Sequence, residues 1–234
     1  YKGQADISKE PTISEKFQAW SDVNNTHLKA PLEFITFTLL IEGLTRSITH
    51  QMVRQRTAVF AQESLRFAVK DGEELATTGI QMPPSIASLP DDSPQRTIWE
   101  AAVVDAAASY TQLVNSGIPA EDARALLPHN TRTRLFYGTN LRAFMDTMGN
   151  RLCTQAQFEW RELAFRMLFA LRGVDQEWMT VTNSFGPVCF QMRRCPFEAS
   201  FDRFCTIRKR VQAGEFDRIE RTEWALDAAA ARLA

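Results

Sequence analysis

Hydrophobic positions along this chain switch between two periods. Residues 31–41 (PLEFITFTLLI) alternate, with Phe34, Thr36, Thr38 and Leu40 against Ile35, Phe37 and Leu39. That two-residue period predicts a mostly buried strand. Glu42-Gly43 then predicts a turn. Over 44–56, Leu44, Ile48 and Met52 recur at a helical spacing and leave Arg46, His50, Arg54 and nearby Arg56 on the other face. A second strand is predicted over 131–139, where Thr131, Thr133, Leu135 and Tyr137 alternate with Arg132, Arg134 and Phe136.

The remaining elements read mainly as helices. Residues 1–30 are polar and predict an arm with a short helix around 17–20. Segment 60–67 is loop or strand, and 71–95, with Pro83, Pro84, Pro90 and Pro94, reads as a surface excursion. A long Ala-rich helix is predicted over 97–116, ended by Gly117. Pro119 fits the first position of the next helix, 120–127, and Pro128 breaks it. Asn140 is a good N-cap for a helix running to about residue 150. Further helices are predicted over 155–171, 175–183, 196–211 and 221–234. No internal repeat is present. The expected fold is α+β, with a mixed central sheet and long packed helices in a single domain over 1–234.

Composition narrows the function classes. The chain has 234 residues, 44% hydrophobic and 24% charged, with 16 Phe and 5 Trp to bury, so an ordered core is expected. No run approaches the roughly 20 apolar residues of a membrane helix. No secretory pattern is visible, and a cytoplasmic location without membrane contact is expected. The net charge of -1 argues against a general nucleic-acid grip. Of the 27 basic residues, however, 6 are Lys and 21 are Arg. Arg is the residue suited to bidentate phosphate and carboxylate recognition, although a coding bias gives the same skew.

Cysteines and histidines remove several chemistries. Cys153, Cys189, Cys195 and Cys205 form no C-x-x-C pair and read as buried or half-buried thiols; no His lies downstream of Cys195 or Cys205 to complete a metal set. No metal is expected. The chain lacks H-E-x-x-H, G-x-S-x-G, a P-loop and G-x-G-x-x-G.

Two arginine-rich stretches remain. The first holds Gln51, Arg54 and Arg56 with Gln62, Glu63, Ser64 and Arg66; the second runs Arg124, Arg132, Arg134, Arg142 and Arg151. Neighbouring guanidiniums repel unless an anion or an acid sits among them. The plainer alternatives are a solvated face with local Glu63 pairing, an Arg142–Asp146 pair at four-residue spacing, and a dipole-stabilised Arg151 at a helix end. Two such patches together point to phosphorylated ligands.

Two strings carry a resemblance. HQMVRQRTAVFAQESLRF, 50–67, contains Arg54-Gln55-Arg56, seven residues, then Ser64 and Arg66. TNLRAFMDTMGNRLCTQAQFEWRELA, 139–164, contains N-x-R, a spaced Arg and A-Q-x-E. Together these resemble the flavin-dependent thymidylate synthase family over roughly residues 27–205. The resemblance implies an α+β homotetramer with active sites between subunits. It also implies FAD as cofactor, NADPH and 5,10-methylenetetrahydrofolate as cosubstrates, and a pyrimidine nucleoside monophosphate as methyl acceptor at C5. It involves no enzyme cysteine nucleophile.

By the same resemblance, Arg54, Gln55, Arg56, Asn140, Arg142, Asp146 and Gln155 lie on the flavin side. Gln51, Gln62, Ser64, Arg66 and Arg124 lie on the nucleotide side, with Gln62 near the sugar. Arg151 is the catalytic position, contacting and polarising the pyrimidine, and Gln157 and Glu159 hold the surrounding structure. The chemistry is coherent, because polarising a uracil carbonyl makes C5 more nucleophilic while the flavin does the redox work.

Four positions depart from the family pattern. Gln55 replaces the signature His, and Gln155 the His four residues after the pyrimidine arginine. Phe34 replaces a second early His in the stretch beginning at His27, and Asp146 replaces Asn. An amide keeps hydrogen bonding but carries no proton. These departures leave three readings: drift with activity kept; a specialised member with an altered acceptor, such as UMP for a modified nucleoside, as in polyoxin-type nucleoside antibiotic synthesis, or dCMP in a virus; or a protein that binds nucleotide or flavin without turnover. Gln62, an amide where the family carries an acid, is expected to ease acceptance of a ribose hydroxyl.

Overall fold

A computed structural model describes residues 9–197, together with 205, 207 and 213. In chain order the elements are α1 (Ile13–Asn25), a 3-10 turn (Ala30–Glu33), β1 (Thr36–Thr45), α2 (Arg46–Met52), β2 (Ala58–Gln62) and α3 (Gly72–Glu74). A π turn (Leu75–Gly79) follows, then α4 (Pro84–Ala87), α5 (Pro94–Asn115), α6 (Ala120–Ala123) and a second 3-10 turn (Arg124–Leu126). The last elements are β3 (Arg132–Asn140), α7 (Leu141–Arg151), α8 (Phe158–Arg172), α9 (Gln176–Asn183) and α10 (Val188–Met192). The fold is α+β, and the chain divides into two compact units: Phe37–Thr139, and Tyr1–Thr36 with Asn140–Ala234.

The unit spanning Phe37–Thr139 contains the sheet, in the order β1-β3-β2. A mixed sheet was expected, but β2 and β3 pair antiparallel, with Phe60 opposite Tyr137 and Gln62 opposite Leu135. Along β3 the expected alternation holds: Thr133, Leu135 and Tyr137 are buried while Arg132, Arg134 and Phe136 face out. Gly138 breaks the pattern because Val59 fills its place; a Cβ there would come within 2.8 Å of Val59 Cγ2.

The turn expected at 42–43 and the helix expected over 44–56 both fail. Glu42-Gly43 does not turn the chain. Gly43 takes a left-handed conformation (φ 73°) inside β1, and the strand runs on to Thr45. Likewise, the helix expected over 44–56 is confined to α2. Its first N–H groups are taken by another segment, Arg46 N donating to Thr131 O and Ser47 N to His129 O. At the other end Arg54 N bonds Gln51 O and Gln55 N bonds Met52 O, so the helix tightens and stops. Arg54, Gln55 and Arg56 therefore sit on the exit turn rather than on a helix face.

Segment 71–95 is more than a surface excursion. Leu75 and Ile80 enter a core with Val103, Ala107, Tyr110 and Ala123. Ile80 also bridges Thr131. Helix α5 starts on the Ser93 cap, whose side chain accepts from Arg96 N, with Pro94 at its first turn. Gly117 (φ 86°) ends it. Pro119 is the N-cap of α6, one place earlier than expected, and the 120–127 helix splits into α6 and a 3-10 turn.

In the other unit, Thr12 and Glu15 form a capping box that starts α1, and Lys16 ties α1 to α9 through Glu177 at 2.8 Å. Asn140 caps α7, its side chain accepting from Ala143 N at 2.8 Å. Helix α8 begins three residues later than expected, because 153–156 forms a turn closed by Ala156 N to Cys153 O. Phe144, Met148, Leu152, Trp160, Ala164 and Met167 are buried between α7 and α8 and beside them. The helices expected over 196–211 and 221–234 fall almost wholly outside the described residues.

Candidate active site

The exit turn of α2 builds the first group. Gln51 ends the helix half-buried, and Arg54 and Arg56 are exposed. Between them Gln55 turns inward, and Tyr137 Oη donates to its Oε1 at 2.9 Å. Gln55 Nε2 is buried and has no acceptor. Buried donors are normally paired, and this amide keeps its N–H pair available to a ligand.

Gln62, at the end of β2, shows the opposite arrangement. Its Nε2 donates to Thr49 Oγ1 at 3.2 Å and lies 3.5 Å from Thr133 Oγ1, both on buried threonines. The donor end is occupied, so the carbonyl oxygen is the end left to meet a ligand.

Arg66 and Arg124 meet at Glu121. Arg66 Nε lies 3.1 Å from Glu121 Oε2, and Arg124 Nε donates to Glu121 O at 3.1 Å. Ser64 Oγ accepts from Arg66 N at 3.2 Å. Glu63, the expected local partner of the arginines, instead pairs with Lys70 at 2.9 Å.

Arg46 joins this group although the sequence reading left it on a polar helix face. Burial first, then the charge of Arg124, push its guanidinium below the ordinary value, with Glu63 opposing. One N–H reaches Glu63 O at 2.8 Å, and Nε is buried without an acceptor. A signal was available: Arg46 is the first residue of α2, where the helix dipole disfavours a cation.

Arg124, Arg132 and Arg134 belong to one unit, Arg142 and Arg151 to the other. Arg132 and Arg134 line a groove of about 500 Å³ shared with Glu42, Glu63, Asp71 and Glu74, a mixed-charge surface.

Helix α7 builds the remaining group. Arg142 and Asp146 line a cavity of about 720 Å³ that also receives Lys29, Arg172, Arg193 and the rings of Phe165, Phe169, Phe185 and Phe190. Arg142 does not pair with Asp146; its Nε lies 3.7 Å from Glu33 Oε1. His27 also lines this cavity, whereas Phe34 is 87% exposed. Cations and aromatic rings around one space suit an aromatic ligand with anionic groups, as a flavin dinucleotide is.

Arg151 ends α7 half-buried, its guanidinium carbon 5.1 Å from the centre of the Trp160 ring. Burial lowers its pKa, yet an arginine stays charged at neutral pH. No carboxylate pairs with it among the described residues. Gln155 is half-buried in the following turn, Gln157 caps α8 and Glu159 lies in its first turn. Arg161, unremarked in the sequence, is buried and donates to Thr154 O at 2.8 Å, holding that turn.

Cys189 is pushed up to about 12 by burial and then by Cys153, Cys195 and Cys205. Thr154 Oγ1 donates to Cys205 Sγ at 3.1 Å. Among the described residues no three His, Cys, Asp or Glu side chains are grouped to hold a metal ion. No helix among them is long and apolar enough to cross a membrane.

Comparison with known proteins gives a consistent result. The profile of the thymidylate synthase complementing protein family matches residues 4–175. A flavin-dependent thymidylate synthase from Pyrococcus furiosus is 36% identical over 170 residues, covering 70% of this chain and 66% of that protein. One from Geobacter sulfurreducens is 35% identical over 158 residues, covering 68% and 64%. The chain thus spans just under two thirds of the length of these relatives. Among solved structures, a UMP/dUMP methylase from Streptomyces cacaoi bound with 5-Br dUMP shares the fold, with a TM-score of 0.60 at 21% identity over 75% of this chain and 83% of that one. With its R-Q-R turn, its α7 arginines and a family profile matching most of its length, the chain belongs to the flavin-dependent thymidylate synthase family.

Proposed function

We propose that this chain methylates C5 of a uridylate, UMP or dUMP, taking the one-carbon unit from 5,10-methylenetetrahydrofolate and its reducing equivalents from NADPH through FAD. The observation that carries the reading is Arg151: a half-buried guanidinium with no carboxylate partner among the described residues, resting on an aromatic face. Such a cation stabilises negative charge developing on a neighbouring oxygen. Against a uracil carbonyl it stabilises the anionic, enolate-like form of the ring, whose C5 is the atom that must attack the one-carbon unit.

The other residues bind and orient. Arg66, Arg124, Gln51 and Ser64 hold the nucleotide and its phosphate, with Arg46 adding charge beside Arg124. Gln62 accepts from a sugar hydroxyl through its carbonyl. Arg54, Arg56, Asn140, Arg142 and Asp146 hold the flavin, and Gln155 lies on its side. Gln55 supplies a neutral donor where the family carries a histidine. The flavin, when bound, supplies the hydride that completes the methyl group. We read the chain as one functional domain over 1–234, working in the cytoplasm as a homotetramer with sites between subunits. The apolar side chains of Leu40, Val59 and Phe136 left exposed on the strands support assembly.

Binding without turnover is a second reading, favoured by Gln55 and Gln155, which cannot carry a proton. The experiment is anaerobic incubation with FAD, NADPH and 5,10-methylenetetrahydrofolate in an equal mixture of UMP, dUMP and dCMP, followed by mass spectrometry. The mass gain of one methylene on UMP or dUMP supports the proposal. A gain on dCMP alone overturns the acceptor. No gain with flavin bound overturns turnover.

A further inference from the structure

Arg151 and Trp160 stand on either side of the turn over 153–156, at the end of α7 and in the first turn of α8. Trp160 is 1% exposed, so its ring is screened from water. Its Nε1 is buried and finds no acceptor, a cost that phenylalanine at the same place would not carry. The ring is therefore not held there by its polar end. What the indole offers Arg151 is the strongest π face among the natural side chains. Burial disfavours the charged guanidinium, and the negative face of the ring offsets that in the absence of a carboxylate. A guanidinium held over a ring face also keeps its N–H groups for hydrogen bonding. A carboxylate would compensate the charge equally well, but it would occupy those N–H groups.

We propose that Trp160 is a positioning residue for Arg151, holding its guanidinium oriented so that its N–H groups meet the oxygen of a heteroaromatic ring that gains negative charge during the reaction. This rests on the role given to Arg151 above.

The test compares Trp160→Leu and Trp160→Phe with the parent and with Arg151→Ala in flavin-loaded protein. We expect Trp160→Leu to lower kcat about tenfold and Trp160→Phe about threefold, with KM for the nucleotide changed less than about twofold. The second readout is NMR of the Arg151 side-chain Nε–H. Its resonance is expected upfield in the parent, from the ring current, and back near the ordinary arginine position in Trp160→Leu. If Trp160→Leu fails to fold, Trp160→Phe carries the test, since it removes only the unpaired N–H and part of the π face. An unshifted Arg151 resonance in the parent, or parent-like kcat in a folded Trp160→Leu while Arg151→Ala is inactive, overturns the positioning role alone. Parent-like kcat in Arg151→Ala overturns the reading of Arg151 on which the proposal rests.

Discussion

The hydroxyl of Tyr137 donates to Oε1 of Gln55 at 2.9 Å, and this bond decides which end of the amide is left without a partner. The two residues lie 82 positions apart, one on the central strand and one on the exit turn of α2. The result is a neutral donor of fixed orientation at the signature position.

Tyr137→Phe keeps the buried ring and removes the bond. Stability is expected to fall by about 1 kcal/mol, the usual worth of a buried hydrogen bond. Flavin affinity, read by fluorescence titration, is expected to weaken about three- to tenfold because Gln55 can then rotate. Unchanged flavin affinity with the same loss of stability would separate Tyr137 from the site.

Gln55 also sets a pH dependence by having none. Gln55→His introduces an imidazole with an ordinary pKa near 6.5. Flavin affinity in the parent is expected to be flat between about pH 6 and 8, and that of Gln55→His to slope across this range. A slope of equal size in the parent would assign the titration to another group.

The cap on α7 links fold to site, because that helix carries Arg142, Asp146 and Arg151. Asn140→Ala leaves Ala143 N without its acceptor and is expected to cost about 1 kcal/mol in denaturant unfolding. Asn140→Asp, which keeps the acceptor and places a negative charge at the helix N-terminus, is expected to retain the parent stability. Equal losses in both variants would show that the cap oxygen is not what matters.

Cys189 makes stability fall at high pH. Its folded value is near 12, against an ordinary thiol value of 9.0. Below pH 9 the thiol is protonated whether the chain is folded or not. Between pH 9 and about 12 the unfolded chain ionises first, so that contribution to stability is progressively lost. Denaturant midpoints across pH 8–10.5 are expected to drop less in Cys189→Ala than in the parent. Parallel curves would exclude Cys189 as the source.

Much of this architecture is legible in the residues themselves. The alternation along β3 and the Asn140 cap are local patterns with local causes and appear where expected, while the Ala-rich helix expected over 97–116 starts earlier, at Pro94. Features that depend on distant partners do not show. Gly43 resembles half of a turn, yet its left-handed conformation is absorbed within β1. Leu75 and Ile80 look like loop residues until Tyr110 and Val103 are brought against them. The arginine turn and the α7 arginines were found through spacing and family resemblance. By contrast, Tyr137 behind Gln55, the threonines behind Gln62 and Trp160 beneath Arg151 come from elsewhere in the chain or from across a turn. Arg46 was the one such residue with a local clue, a cation at the wrong end of a helix.

On the function proposed above, Arg151 polarises a uracil ring for methylation. The most direct test of this role is single-turnover transfer from 5,10-methylenetetrahydrofolate carrying ¹³C in the methylene, with the product read by NMR, in the parent and in Arg151→Ala. The expected result is a labelled C5 methyl on UMP or dUMP in the parent and a rate at least about a hundredfold lower in Arg151→Ala, with folding and flavin binding unchanged. Equal transfer in both proteins, or no labelled methyl from the flavin-loaded parent, would contradict it.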